Sequence, residues 1–365
     1  MKILFFGSDY FPTNGGIATY TREWLNVMAE EDIVGKAVIF GNKIPRTGNI
    51  GNNIELETLR SVGFFYTGFM IFLYFIRNIK YDYYYAFNLF PVGFWTVFWS
   101  KVFFKKSIVT FYGADACDTR TSKKVVFLQR FTITRSHFSL TISNFTKNRV
   151  IERYKIKNFD NIEVIYPILL KGDKIIDNKS DINRDDFIVV AVCRLVKRKG
   201  IEYLLEAISL IEDKNIRLIV IGDGPERNNL GNLKDKYNLF DRVIFTGRVP
   251  DIEFYYSLAK VAVLVSYNIK DEGDFEGLGL VLLEAQSYGL PVIGTRSGGI
   301  PEAIEEGRTG FIVEEKNARS IADAIVRLKN DTTLYSSMSN RTKDFLEERF
   351  GKNNTIKRLI DILKR

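Results

Sequence analysis

Histidine is almost missing from this 365-residue sequence, which holds one, His137. That excludes every mechanism needing two imidazoles, the three-histidine zinc hydrolases and paired-histidine zincins among them. Cysteine is nearly as scarce. Cys117 and Cys193 cannot supply a disulfide framework or a four-ligand zinc site, so a reducing compartment is expected. Long apolar runs are lacking too. The greasiest window, residues 62–76, is shorter than a spanning helix needs and is closed by Arg77. The next, residues 86–104, is broken by Asn88, Pro91 and Lys101. No targeting segment is expected, because the first apolar stretch, residues 3–7, has the length of a buried strand rather than a signal-peptide core. No G-x-G-x-x-G follows that strand and no G-x-x-x-x-G-K-[ST] occurs anywhere, which takes support from dinucleotide oxidoreductases and P-loop enzymes.

What is present is a folding composition, 46% hydrophobic and 26% charged, in a chain long enough for two or three domains. The net charge of +8 is not spread evenly. Residues 1–170 hold 21 Lys and Arg against 13 Asp and Glu, whereas the rest is balanced at 31 of each. The same first part holds 35 of the 50 Phe, Tyr and Trp residues. One half is basic and aromatic, which points to two modules with different partners, one of them anionic or at a membrane surface.

Apolar runs of strand length alternate with helical patterns, the signature of parallel sheets covered by helices. Strands are expected at 2–7, 35–40, 54–57, 82–87, 107–111, 138–142 and 163–165, then at 187–192, 217–221, 243–245, 261–265, 291–294 and 311–313. Helices are expected at 17–30, 64–78 and 122–136 in the first half. Residues 1–166 form the first domain, 167–186 a polar linker and 187–350 the second domain. The expected fold class is α/β, two doubly wound Rossmann-like domains facing across a cleft. Ligands of such sheets bind at the carboxyl ends of the strands, so the loops there are where chemistry belongs.

Two such loops stand out. In Phe275-Glu276-Gly277-Leu278-Gly279 followed by Leu280 to Ala285, glycines ahead of an apolar helix leave N–H groups free for ligand oxygens. Glu284 sits inside Val281-Leu282-Leu283 and needs partners, which ligand hydroxyls or a basic neighbour would supply. The second loop, Cys193 to Gly200, puts Arg194 at a strand's carboxyl end and Lys199 at the start of the next helix. An arginine fork and a lysine point charge together suit a diphosphate, though a solvated basic turn is the plainer alternative. Glycine turns at Gly15-Gly16, Gly222 to Gly224 and Gly298-Gly299 fit the same plan but are individually weak. His137 reads as structural, and Asp271 to Asp274 reads as a solvated loop rather than a cation site.

Taken together, these residues resemble the large family of retaining glycosyltransferases with the GT-B fold often numbered family four. The most specific parts are EGLGLVLLEAQSYGLPVI at 276–293, SGGIPEAI at 297–304, CRLVKRKG at 193–200 and GDGPE at 222–226. The wording around Glu276 is most similar to phosphatidylinositol mannosyltransferases and O-antigen or capsule transferases. The resemblance implies that Arg194 and Lys199 neutralise the departing diphosphate of a nucleotide sugar, GDP-mannose or a UDP-sugar. It implies that Glu276 and the N–H groups of Gly277, Leu278 and Gly279 hold the donor sugar, and that Glu284 takes the ribose. Gly15 and Gly16 would lie near the phosphates, and Arg248-Val249 near the base. It further implies retention through a front-side route with no metal or other cofactor, and a terminal helix, 351–365, that packs back onto the first domain. The family often carries His-Gly-x-Asp where this chain has Tyr112-Gly113-Ala114-Asp115; tyrosine cannot accept a proton near neutral pH, so a base at that position is in doubt. Tyr112 and Asp115 stay candidates for the acceptor side, Asp115 also for catalysis.

The expected function is therefore a cytoplasmic enzyme at the inner face of the cell membrane, moving a hexose from a nucleotide sugar to a lipid-linked or glycan acceptor. Its basic first half would touch anionic lipid. A nucleotide-sugar epimerase on the same fold and a basic nucleic-acid-binding module are the alternatives. The epimerases lack the combined motifs, and the dispersed cations carry no nucleic-acid fold signature, so no nucleic-acid partner is expected.

Overall fold

The computed structural model describes residues 1–8, 16–31, 33–41, 47–59, 63–168, 186–269 and 275–365. It divides into two units, Met1–Ile168 with Thr355–Arg365, and Leu169–Asn354.

The first unit carries β1 (Lys2–Gly7), β2 (Val34–Phe40), β3 (Thr47–Ile50), β4 (Ile54–Leu59), β5 (Tyr83–Ala86), β6 (Lys106–Phe111), β7 (Phe138–Thr141) and β8 (Ile162–Val164). Its helices are α1 (Gly16–Glu30), α2 (Phe64–Arg77), α3 (Phe94–Val102), α4 (Ala114–Cys117), α5 (Lys123–Arg135) and α6 (Asn144–Tyr154). The sheet order is β3-β4-β2-β1-β5-β6-β7-β8, parallel except for β3, which pairs antiparallel with β4 at the edge. Sequence reading missed β3: Thr47-Gly48-Asn49-Ile50 has no apolar run, and its pairing rests on the tight turn before β4. Much of the aromatic excess is core. Phe5, Phe6, Tyr84, Tyr85 and Phe75 are fully buried, with Phe75 stacked on Tyr84 at 3.9 Å between centroids. His137 lies in this core's margin, between the rings of Tyr83 and Phe138.

The second unit carries β9 (Phe187–Val192), β10 (Ile216–Ile221), β11 (Val243–Gly247), β12 (Val261–Leu264), β13 (Val292–Thr295) and β14 (Gly310–Val313). Its helices are α7 (Ile201–Leu210), α8 (Arg227–Lys236), α9 (Glu253–Leu258), α10 (Leu280–Ser287), α11 (Ala318–Asn330) and α12 (Thr332–Phe350). The all-parallel order β11-β10-β9-β12-β13-β14 reverses direction between β9 and β12, which makes the loops after those two strands the expected ligand crevice. Asp186, at the end of the expected linker, is buried and pairs with Arg217 at 2.7 Å. The last helix, α13 (Lys352–Leu363), is joined to the first unit, where Tyr83 donates to the Leu363 carbonyl and Arg365 pairs with Glu163 at 2.9 Å.

Candidate functional site

The two strands at the reversal point bring their loops together on one carboxylate. Lys199, after β9, lies 2.5 Å from Glu276 Oε2, and Arg198 Nη1 donates to the same oxygen at 2.9 Å. Ser266, just beyond β12, donates to it at 3.3 Å. Burial by itself would raise the Glu276 carboxyl, but the charges of Lys199 and Arg198 hold it down to about 2. Glu276 is thus ionised at any working pH, and the two cations are fixed beside it.

The backbone explains why they converge. Lys197–Lys199 forms a single 3-10 turn, with Gly200 left-handed at φ 64°, and the helix begins only at Ile201. The sequence expectation that Lys199 opens the helix is therefore corrected by one short turn. That turn leaves Lys197 exposed and sends Arg198 and Lys199 inward. Opposite, the Ser297-Gly298-Gly299 segment is pressed on the Glu276 backbone. Gly299 N–H donates to the Glu276 carbonyl at 2.8 Å, and a Cβ on Gly298 (φ 56°) would lie 2.3 Å from that same oxygen. Glycine is required there by contact as well as by φ.

Arg194 stands apart. It is exposed, and among the described residues it has no ion-pair partner. Its backbone is nevertheless held firmly: Leu195 N–H donates to Asp223 O at 3.0 Å, and a Cβ on Gly222 would fall 1.9 Å from Cys193 O. Gly222 N–H in turn donates to Gly247 O at 2.8 Å, so the loops after β9, β10 and β11 lie side by side, with exposed Arg248 and half-buried Val249 at their far end. Gly277, Leu278 and Gly279 lead into α10, Gly279 taking φ 84°. Glu284, on α10, accepts from Tyr256 Oη at 3.3 Å, and burial pushes its carboxyl up. The basic neighbour that a purely structural reading required is absent among the described residues.

In the first unit, the loop after β6 carries Tyr112 and Asp115. Asp115 Oδ1 accepts the N–H groups of Tyr112 at 2.8 Å and Gly113 at 3.0 Å, so it braces its own turn. Its Oδ2 accepts no hydrogen bond among the described residues. Tyr112 packs edge-on against Tyr20, with ring centroids 5.0 Å apart. Gly16 is the first residue of α1, while Gly15 and the 271–274 acidic stretch lie outside the described residues. Sequence reasoning assigned no role to Arg198 or Ser266. Arg198 was inside the basic turn already singled out, and Ser266 is the first polar residue after an apolar strand.

Burial pushes the Asp115 carboxyl up to about 6, outweighing the backbone N–H groups that favour the anion. A folded-state value above the unfolded one contributes stability at acid pH that is lost as pH rises from about 4 through about 6. Asp115→Asn keeps an acceptor oxygen and removes the titration. The variant is expected to gain on the order of 1–2 kcal/mol over wild type between pH 4 and pH 7, read from urea midpoints. Parallel pH profiles for the two proteins would remove the carboxyl from this account.

Residues 173–345 match the family described as glycosyl transferases group 1. Among curated relatives, the chain is 27% identical over 252 residues to N-acetyl-alpha-D-glucosaminyl L-malate synthase of Bacillus anthracis, covering 67% of this chain and 64% of that protein. It is 32% identical over 180 residues to the GDP-mannose-dependent alpha-(1-6)-phosphatidylinositol monomannoside mannosyltransferase of Mycobacterium tuberculosis, covering 48% of this chain and 47% of that one. The chain thus spans about half to just under two thirds of these relatives' lengths. Of solved structures, Anabaena HepE in complex with UDP-glucose superposes with a TM-score of 0.80 at 18% identity, covering 100% of this chain and 99% of that one. The resemblance to GT-B glycosyltransferases read from the motifs is borne out, and the fold is GT-B.

Proposed function

From a GT-B chain whose residues 173–345 match the group 1 glycosyl transferases, we propose a hexosyltransferase that takes its sugar from a nucleotide donor and works with retention and without a metal. The observation that carries this reading is the meeting of Lys199, Arg198 and Ser266 on Glu276 at the point where the second sheet reverses. That site offers fixed positive charge for a leaving diphosphate and an ionised carboxylate for sugar hydroxyls. Arg194, whose guanidinium has no ion-pair partner among the described residues, adds the bidentate contact. Glu284 sits on the adjoining helix with one carboxyl oxygen bonded to Tyr256 and no ion-pair partner among the described residues, which suits a ribose. Phosphoryl charge met by three cationic side chains needs no divalent ion.

The donor is GDP-mannose or a UDP-sugar. The mycobacterial relative is named for GDP-mannose, and Anabaena HepE was solved with UDP-glucose. The acceptor is a lipid-linked or other glycan taken on the Tyr112 and Asp115 side, for cell-surface polysaccharide or glycolipid synthesis at the inner face of the membrane. Relatives named for a phosphatidylinositol mannoside and for colanic acid support that reading.

Calorimetry of UDP, GDP and ADP and their common sugar conjugates, in EDTA, tests the proposal. One nucleotide is expected to bind tightly, with affinity reduced about tenfold or more by Arg194→Ala. No binding to any of them would remove the transferase reading.

A further inference from the structure

A helix that packs on a sheet and faces water carries polar residues on its outer side. In the first unit, the layer made by α2 with α3 and α5 breaks that rule along α2. α2 and α3 are locked together: Trp95 Nε1 donates to Phe64 O and Trp99 Nε1 to Gly68 O, each at 2.9 Å. A Cβ on Gly68 would sit 2.4 Å from the Trp95 ring. α3 is packed on α5 through Phe94 and Phe131, 5.9 Å between centroids. The inner rows of this layer, Ile71, Phe75 and Val97 among them, are core. The outer row of α2 is apolar and open to solvent, with Phe65 80% exposed, Phe69 55% and Ile76 50%; Phe104, just past α3, is 97% exposed, and Phe127, between Lys124 and Arg130 on α5, 67%. Positions 65, 69 and 76 fall on one helical stripe. Phe104 also holds φ 54°, a conformation a bulky residue rarely adopts, and folding gains nothing from a ring so placed.

Charge surrounds this face with one sign. Residues 63–135 contain ten Lys and Arg against three Asp. Asp82 accepts the Lys2 N–H, Asp118 is paired with Arg120, and Asp115 is bound to its own loop. Arg77, Lys80, Lys101, Lys123 and Lys124 are exposed at the ends of the three helices.

We propose that the outer face of α2, α3 and α5 seats the first unit on an anionic lipid bilayer. Phe65, Phe69 and Phe104 enter the boundary between headgroups and acyl chains, and the flanking lysines and arginines meet lipid phosphates. Charge selects this occupant. A second copy of the chain on the same face would set these exposed cations against their own kind, which disfavours association. At 14 residues, α2 is about 21 Å long, short of the hydrocarbon thickness, so it lies on the bilayer and does not cross it. The meaning of this seat for catalysis rests on the lipid-linked acceptor proposed above, which it would bring within reach.

Co-sedimentation of the full chain with vesicles of phosphatidylcholine, or of phosphatidylcholine mixed equally with phosphatidylglycerol, tests the surface. Wild type is expected to pellet with the phosphatidylglycerol vesicles and stay in solution with the others. The triple substitution Phe65→Ser, Phe69→Ser, Phe104→Ser is expected to weaken that binding by about tenfold or more at low and high salt alike. Lys101→Ala with Lys124→Ala is expected to weaken it at low salt only. Wild type indifferent to phosphatidylglycerol, or a triple variant that binds as wild type does, overturns the proposal. So does a wild-type dimer in gel filtration that the triple variant converts to monomer, which would assign the face to a second copy. Nucleotide calorimetry and near-ultraviolet circular dichroism of the same proteins separate the two readings. If vesicles bind and no nucleotide does, the transferase reading falls and the lipid surface stands; the reverse pattern removes the surface alone.

Discussion

Glu276→Gln is expected to lower donor turnover by about 10²–10³-fold, because in the proposed donor site the carboxylate would meet the sugar and fix the cations that would receive the leaving charge. The same change is expected to cost stability. In wild type, Lys199 and Arg198 are two inward-turned cations, 10% and 17% exposed at their side chains, sharing one carboxylate. Removing it leaves both beside a neutral amide, and breaking a buried pair costs on the order of 3 kcal/mol. The pH dependence separates this from mere loss of packing. A carboxyl held at about 2 in the folded state contributes stability that is complete above its unfolded value near 4.5 and is lost as pH falls toward 2. The gap between wild type and variant should therefore be widest near neutrality and shrink steadily below pH 5. Urea denaturation at several pH values reads the gap, and nucleotide release from the donor reads the turnover. An unchanged gap at pH 3 would mean the ion cluster is not what the substitution removes, and near-normal turnover would take Glu276 out of the site.

That cluster also shows how much was legible in the sequence. Parallel strands were readable because both faces of each are covered, so β1, β9 and β10 appear as apolar runs such as Phe187–Val192, β10 interrupted only by Arg217 near its start. The edge strand β3 was not, since half its pairing groups face no partner and its residues need not be apolar. Glycine spacing marked the loops of the site, and the structure gives the reason: Gly222 and Gly298 each have a neighbouring carbonyl where a Cβ would go. What spacing could not give is direction. In Lys197-Arg198-Lys199, three cations are equivalent on paper. The 3-10 turn sends two of them to Glu276 and one to solvent, and that turn depends on the left-handed Gly200 abutting Val265 O, 65 residues away in number. The aromatic windows posed the converse difficulty. Composition marked 62–104 as greasy, but only packing separates Phe75, fully buried, from Phe65 and Phe69 on the exposed stripe of the same helix.

Arg194→Ala should behave in the opposite way from Glu276→Gln, losing function while keeping stability. Its side chain is exposed and makes no ion pair among the described residues, so folding gives up little when it is truncated. A change within about 0.5 kcal/mol is expected, as for surface positions generally. Its backbone, by contrast, is pinned between β9 and β10 by the Leu195 to Asp223 hydrogen bond and by the Gly222 contact. A charged fork on a rigid base, with no ion-pair partner among the described residues, is preorganised for an external anion, and in the proposed donor site its worth would be realised when diphosphate charge develops. Turnover is expected to fall by about 10²–10³-fold in the alanine variant. Arg194→Lys should recover only part of that, because an ammonium restores the charge without the planar two-point geometry. Steady-state kinetics across the three proteins, beside their urea midpoints, decides the matter. A lysine variant as active as wild type would reduce Arg194 to a source of field. An alanine variant that unfolds as easily as Glu276→Gln would show that Arg194 holds the fold through a contact made in solution, and its assignment to the donor phosphates would be withdrawn.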